Sequence, residues 1–141
     1  MGQVKPFDQK LYDQDDNAKE IVIEWLSTFD IIARVNPDPY GIDLLAHGPK
    51  GNYDIEVEVK HNWKGERFPF ETVHFSARKT KFITHLPNNI FVMLNHEWTY
   101  ALIITGEVMQ ASKKIRKDTT YTKQEQFLEV QVSRGKVVRL H

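Results

Sequence analysis
The chain has 141 residues, 40% hydrophobic and 27% charged, and its nineteen basic residues balance nineteen acidic ones. That length suits one domain with a single core, and the absence of cysteine excludes disulfides, thiolate metal sites and catalytic thiols. The longest apolar runs, around Ile90–Leu94 and Ala101–Ile104, are far too short to span a bilayer, and no basic-then-apolar secretory start is visible. A soluble cytoplasmic protein is the expectation.

Residues 1–12, with Pro6, Phe7 and Tyr12, read as an N-terminal arm. Asp15, Asp16 and Asn17 then predict the cap of a helix whose apolar stripe is Ala18, Ile21, Val22, Trp25, Leu26 and Phe29. Glu20 and Glu24 fall on its polar side. Pro37-Asp38 lies between prolines, where the chain suits a loop better than a strand.

Two strand patterns follow. Ile42, Leu44 and Ala46 alternate with Asp43, Leu45 and His47, and Ile55, Val57 and Val59 alternate with Asp54, Glu56, Glu58 and Lys60. Pro49 to Asn52 joins them as a hairpin turn. A two-residue turn at Gly51-Asn52 sets Asp43 opposite Lys60; a four-residue loop sets it opposite Glu58. Either register gathers Asp43, Glu58 and Lys60 on one polar face, since directly opposite Cβ atoms lie about 5 Å apart and diagonal ones about 7–8 Å. Carboxylates so close repel, and a bound hard cation removes that penalty. Magnesium is held by one or two carboxylates and keeps waters that phosphate oxygens replace, with a lysine alongside to orient the nucleophile. The same letters also describe a solvated strand face with a plain Asp43–Lys60 ion pair.

Further along, Val73–Leu86 is expected to be a helix with Phe75, Phe82, Ile83 and Leu86 buried and Arg78, Lys81 and His85 beside that stripe. Lys79, near the apolar stripe, is expected to snorkel or to reach toward the active site. Asn89–Leu94 reads as a buried strand, Trp98–Met109 as a strand broken at Gly106, and Phe127–Ser133 with Lys136–Leu140 as a terminal hairpin. Lys113, Lys114, Arg116 and Lys117 form a basic loop ahead of Asp118 and Tyr121. The charges are not evenly spread. Up to Glu58 there are five basic against twelve acidic residues, and from Val59 onward fourteen against seven. Acids thus cluster around the hairpin and bases follow, a division suited to holding both a cation and a polyanion.

Gly41-Ile42-Asp43-Leu44-Leu45, a hairpin, and then Glu58-Val59-Lys60 resembles the core of the PD-(D/E)XK nuclease superfamily, which includes restriction endonucleases, Holliday-junction resolvases and phage repair nucleases. The resemblance covers residues 15–60, with a looser echo as far as Phe82; Ile42 stands where the family name implies proline. It implies a single α/β domain, 1–141, with a restriction-endonuclease-like core: a mixed central β-sheet flanked by helices. It implies a metal-dependent DNA endonuclease in which Asp43, Glu58, the Val59 carbonyl and Glu20 hold Mg²⁺ or Mn²⁺ while Lys60 serves the attacking water. Glu20 matches the family's helix acid better than Glu24, and Glu56 is the understudy of Glu58. Arg78, Lys79, Lys81, Lys113, Lys114, Arg116 and Lys117 would contact duplex or branched DNA, with the protein acting as a homodimer. The competing expectations are a nuclease-fold module that binds DNA without cutting it and a non-enzymatic interaction protein.

Overall fold
The computed structural model describes residues 9–38, 41–76, 88–118 and 123–140, with side chains from residue 16 onward. The first element, α1 (Gln9–Ser27), starts upstream of the expected Asp15–Asn17 cap and takes in the last residues of the expected arm. No glycine or proline interrupts Gln9 to Ser27, so nothing local stops the helix at the acidic run. It ends where Ser27 and Thr28 hydroxyls donate back to the Glu24 and Trp25 carbonyls, and Asp30 turns the chain at φ 61°.

The strands β1 (Ile32–Val35), β2 (Leu44–Gly48) and β3 (Gly51–Val59) form an antiparallel meander. β4 (Thr72–Ser76) leaves this sheet, and β5 (Asn89–Leu94) returns parallel to β3. β6 (Tyr100–Thr105) runs antiparallel to β5, followed by a short helix α2 (Gly106–Gln110). β7 (Lys113–Lys117), β8 (Glu125–Gln131) and β9 (Lys136–Arg139) complete the described strands. The order is β1-β2-β3-β5-β6-β9 in a six-stranded mixed sheet and β4-β8-β7 in a three-stranded antiparallel one. This is the expected α/β architecture with a mixed central sheet and helices.

Each face of the large sheet has its own core. Ala18, Val22 and Leu26 of α1 pack on Leu44, Ala46, Ile55, Val92, Leu94 and Ala101. On the other face Phe91, Met93, Leu102 and Ile104 meet Val73, Phe75, Leu128 and Val130 of the small sheet, with Trp63, Phe68 and Met109 closing the layer. Phe75 and Phe91 meet edge to face, ring centroids 5.9 Å apart.

Several expected elements differ. Residues 72–76 are strand rather than the start of a helix, because Val73 and Phe75 point inward at period two and pair with Val130 and Leu128. The rest of that expected helix, with Arg78, Lys79, Lys81 and His85, lies outside the described residues, as does Tyr121. The Lys113–Lys117 run is strand β7, not a loop, since its central Ile115 pairs with Phe127. Trp98–Met109 splits into β6 and α2 because Thr105 caps the helix, its hydroxyl accepting from the Val108 N–H at 3.3 Å.

The expected terminal hairpin is absent, as β8 and β9 belong to different sheets. A single 3₁₀ turn, Val132–Arg134, and Gly135 redirect the chain onto β6; a Cβ at Gly135 would stand 2.4 Å from Ile104 Cδ1. No helix among the described residues is long and apolar enough to cross a membrane.

Candidate active site
The β2–β3 hairpin adopts neither expected register. Gly48 pairs with Gly51, so the turn is Pro49-Lys50, and Gly51 joins the strand at φ 125°. The side chains of His47 and Asn52, paired across the ladder, hydrogen-bond to each other and fix this alignment. Leu44 then faces Ile55, and one step further Asp43 falls across from Glu56. The apolar face is as expected: Ile55, Val57 and Val59 join Leu44 and Ala46 over α1. Glu56, Glu58 and Lys60 therefore turn toward the small sheet.

Asp43 sits where β2 peels away from β3. Its backbone carbonyl still accepts from the Asn36 N–H at 2.9 Å, while its Oδ2 accepts from the Val57 N–H at 2.8 Å, a side chain continuing the ladder that the backbone has left. Its Oδ1 lies 3.5 Å from Lys19 Nζ, both side chains being mostly covered. On β3, Glu58 Oε1 pairs with Lys60 Nζ at 3.3 Å, and that ammonium also donates to the His74 carbonyl of β4 at 3.4 Å. Glu56 is 5% exposed, a carboxylate enclosed between the two sheets rather than on a solvated face. The hairpin and the small sheet together position these groups.

Glu20 is exposed, on the side of α1 away from Ala18 and Val22, as is Glu24. The helix residue that meets Asp43 is Lys19, which also pairs with Asp16 at 3.8 Å. Asp38 is exposed in the loop before Gly41. Lys113, Lys114, Arg116 and Lys117 are all exposed along the edge of the small sheet.

A second polar cluster adjoins Lys60, and no spacing in the sequence announces it. His74 Nε2 lies 3.1 Å from Glu129 Oε2, and its Nδ1 lies 2.8 Å from Lys117 Nζ. An ammonium only donates, so Nδ1 is the acceptor and the Nε2–H donates to Glu129. Lys117 also sits 4.5 Å from the Phe127 ring centroid. The cross-strand pairing of His74 with Glu129 was invisible without the β4–β8 register.

For a divalent cation the donor chemistry is that of a hard oxygen site: Asp43, Glu58 and the Val59 carbonyl. Among the described residues no group of three or more His, Cys, Asp or Glu is drawn together to hold an ion. Magnesium needs only one or two carboxylates beside its waters, so the donor type of Asp43 and Glu58 suits it; here these carboxylates pair with Lys19 and Lys60.

A mixed sheet with its acid-bearing hairpin, backed by α1 and faced by a second layer, is a restriction-endonuclease-like fold. Among solved structures, Hjc, a Holliday junction resolvase from the archaeal hyperthermophile Archaeoglobus fulgidus, aligns at TM-score 0.56 and 10% identity over 87% of this chain and 90% of its own. A nuclease from a fusselovirus aligns at TM-score 0.52 and 14% identity over 95% of this chain and 90% of its own. No family model and no curated protein matches the sequence.

Proposed function
We propose that the protein is a metal-dependent endonuclease that hydrolyses phosphodiester bonds in duplex or branched DNA. One observation carries the reading: in a fold shared with two nucleases, Glu58 near the end of β3 pairs with Lys60 just beyond it, and Asp43 is held by the N–H of Val57, the residue before Glu58. In this reading Asp43, Glu58 and the Val59 carbonyl hold Mg²⁺, with Mn²⁺ able to substitute. The ion, when bound, supplies Lewis acidity and a water of lowered pKa. Lys60, anchored between Glu58 and the His74 carbonyl, orients that water and stabilises charge at the scissile phosphate. Glu20, exposed on α1 and not gathered with Asp43 and Glu58 into one group, is not assigned to this set.

The exposed Lys113, Lys114, Arg116 and Lys117 of β7 supply phosphate contacts, with Arg78, Lys79 and Lys81 as further candidates. A homodimer fits the task, since one small site cuts one strand; sedimentation at twice the monomer mass is the expected result. A junction substrate is suggested by the resolvase neighbour alone.

One observation favours a second reading, a DNA-binding module without catalysis: Lys19 and Lys60 already satisfy the two carboxylates. The deciding experiment incubates the protein with supercoiled plasmid, linear duplex, single strand and four-way junction, with and without Mn²⁺. Metal-dependent cleavage that falls about 100-fold or more in Asp43→Ala and Lys60→Ala is expected. Cleavage surviving both substitutions would remove the site, and DNA retention without cleavage would establish the binding module.

A further inference from the structure
The parallel neighbours β3 and β5 end at the same edge of the large sheet, and each delivers a histidine just beyond its end. The Lys60 N–H still bonds the Leu94 carbonyl at 2.9 Å, so the two strand ends are in register where they give way to loops. His61 follows Lys60, and His96 follows Leu94-Asn95. The loops are tied to one another: the Trp63 N–H donates to the Lys60 carbonyl at 3.1 Å, and the His96 N–H to the Trp63 carbonyl at 2.7 Å. Asn95, fully buried, holds the far side by donating to the Gly65 carbonyl and the Thr99 hydroxyl and accepting from the Thr99 and Tyr100 N–H groups. Glu97 accepts from the Gly65 N–H at 2.7 Å.

On this fixed base the two imidazoles face each other. Their Nδ1 atoms are 3.4 Å apart, with ring centroids at 5.6 Å and planes at 72°. For an N–H···N hydrogen bond that separation is long, the usual distance being about 2.9–3.0 Å. It is the separation of two ligands on one ion: nitrogens about 2.0–2.1 Å from a tetrahedral zinc stand about 3.3–3.4 Å from each other. Both side chains are exposed, so an ion can enter and water can fill its remaining positions.

We propose that His61 and His96 form a binding site for a divalent transition-metal ion of the zinc, nickel and copper class. Imidazole nitrogen suits those ions and not magnesium, so this site is distinct in chemistry and in residues from the carboxylate site on β3. The nuclease reading is not needed for it. Occupancy clips the loop after Lys60 to the turn after β5. The Glu97 carboxylate is engaged by Gly65, which leaves a two-histidine site with open positions.

The test titrates the full chain with Zn²⁺, and with Co²⁺ as a spectroscopic reporter, in excess Mg²⁺. Wild type is expected to bind a single equivalent and to show the visible absorption of nitrogen-ligated Co²⁺. Losing even an outer-shell partner costs about 10–100-fold in metal affinity, so His61→Ala and His96→Ala should each weaken binding at least tenfold. His96→Cys should restore it with a sulfur-to-cobalt absorption band, which a fold defect could not produce. Asp43→Ala should leave binding intact. Zinc binding that survives both alanine variants, or that disappears in Asp43→Ala, or that never rises above background, would overturn the proposal.

Discussion

Asp43 uses its two oxygens differently: one replaces a missing ladder acceptor for Val57, and the other meets Lys19. The first contact fixes where the carboxylate points. The second competes with any cation that binds there. An ion pair of this partly covered kind is worth about 1 kcal/mol, so Lys19→Met should lower the Mg²⁺ concentration needed for half-maximal cleavage about fivefold. Glu20→Ala, on the exposed side of the same helix, should leave that concentration unchanged; metal titrations of plasmid cleavage compare the two. Asn95 is the residue on which the loop after β3 depends. Truncation to alanine leaves the Thr99 and Tyr100 N–H groups and the Gly65 carbonyl without their partner in a partly buried setting. The cost should be about 2–3 kcal/mol, read as a lower urea midpoint at unchanged slope. The common face of Glu58 and Lys60 was legible from their i, i+2 spacing, which strand geometry imposes locally. Lys19 was not, because its meeting with Asp43 joins a helix to the start of a strand 24 residues later.

Among the elements, β5 was readable because Asn89 is followed by a continuous apolar run of five residues, Ile90–Leu94, the pattern of a strand buried on both faces. β4 was not. Phe75 also fits a helical stripe with Phe82 and Leu86, and a five-residue alternation is too short to outweigh it. Only the pairing of Val73 and Phe75 with β8 shows which period applies. β7 was hidden for the opposite reason: four of its five residues are Lys or Arg, and only Ile115 marks a strand. Such charge suits an edge strand, where it discourages pairing with other chains. In the proposed function the same charge gives β7 its phosphate contacts. Lys114→Ala with Arg116→Ala should weaken DNA binding without altering the circular dichroism spectrum. The slope of log affinity against log salt should fall by about 0.9 for each duplex phosphate that the variant no longer neutralises. A slope equal to wild type would take β7 out of the interface.

At the scale of the molecule, β3 is a central strand with packing on both sides, and this changes what its acidic face is. The alternation of Ile55, Val57 and Val59 described one buried face; the small sheet buries much of the other, so that Glu56 is enclosed. The two sheets share one core through Phe91, which touches Phe75 across the layer. Phe91→Ala should therefore cost about 3–5 kcal/mol and preserve a single unfolding transition. Tryptophan fluorescence, which includes the buried Trp63 of that layer, and far-ultraviolet circular dichroism should melt together; separate midpoints would mean that the small sheet unfolds on its own.

What the sequence determined by itself is what short-range sterics and periodicity control. The strand letters put the acids of β3 and the lysine just after it on one face, the helical stripe placed α1, and the order of elements pointed to an α/β fold of nuclease-like pattern. The hairpin register, the partition of β8 and β9 between sheets, the Lys19–Asp43 contact and the enclosure of Glu56 came only with the tertiary structure. Those features depend on which distant residues fill the same space. A strand's period says which side chains share a face, and only the packing of the whole chain decides what covers it.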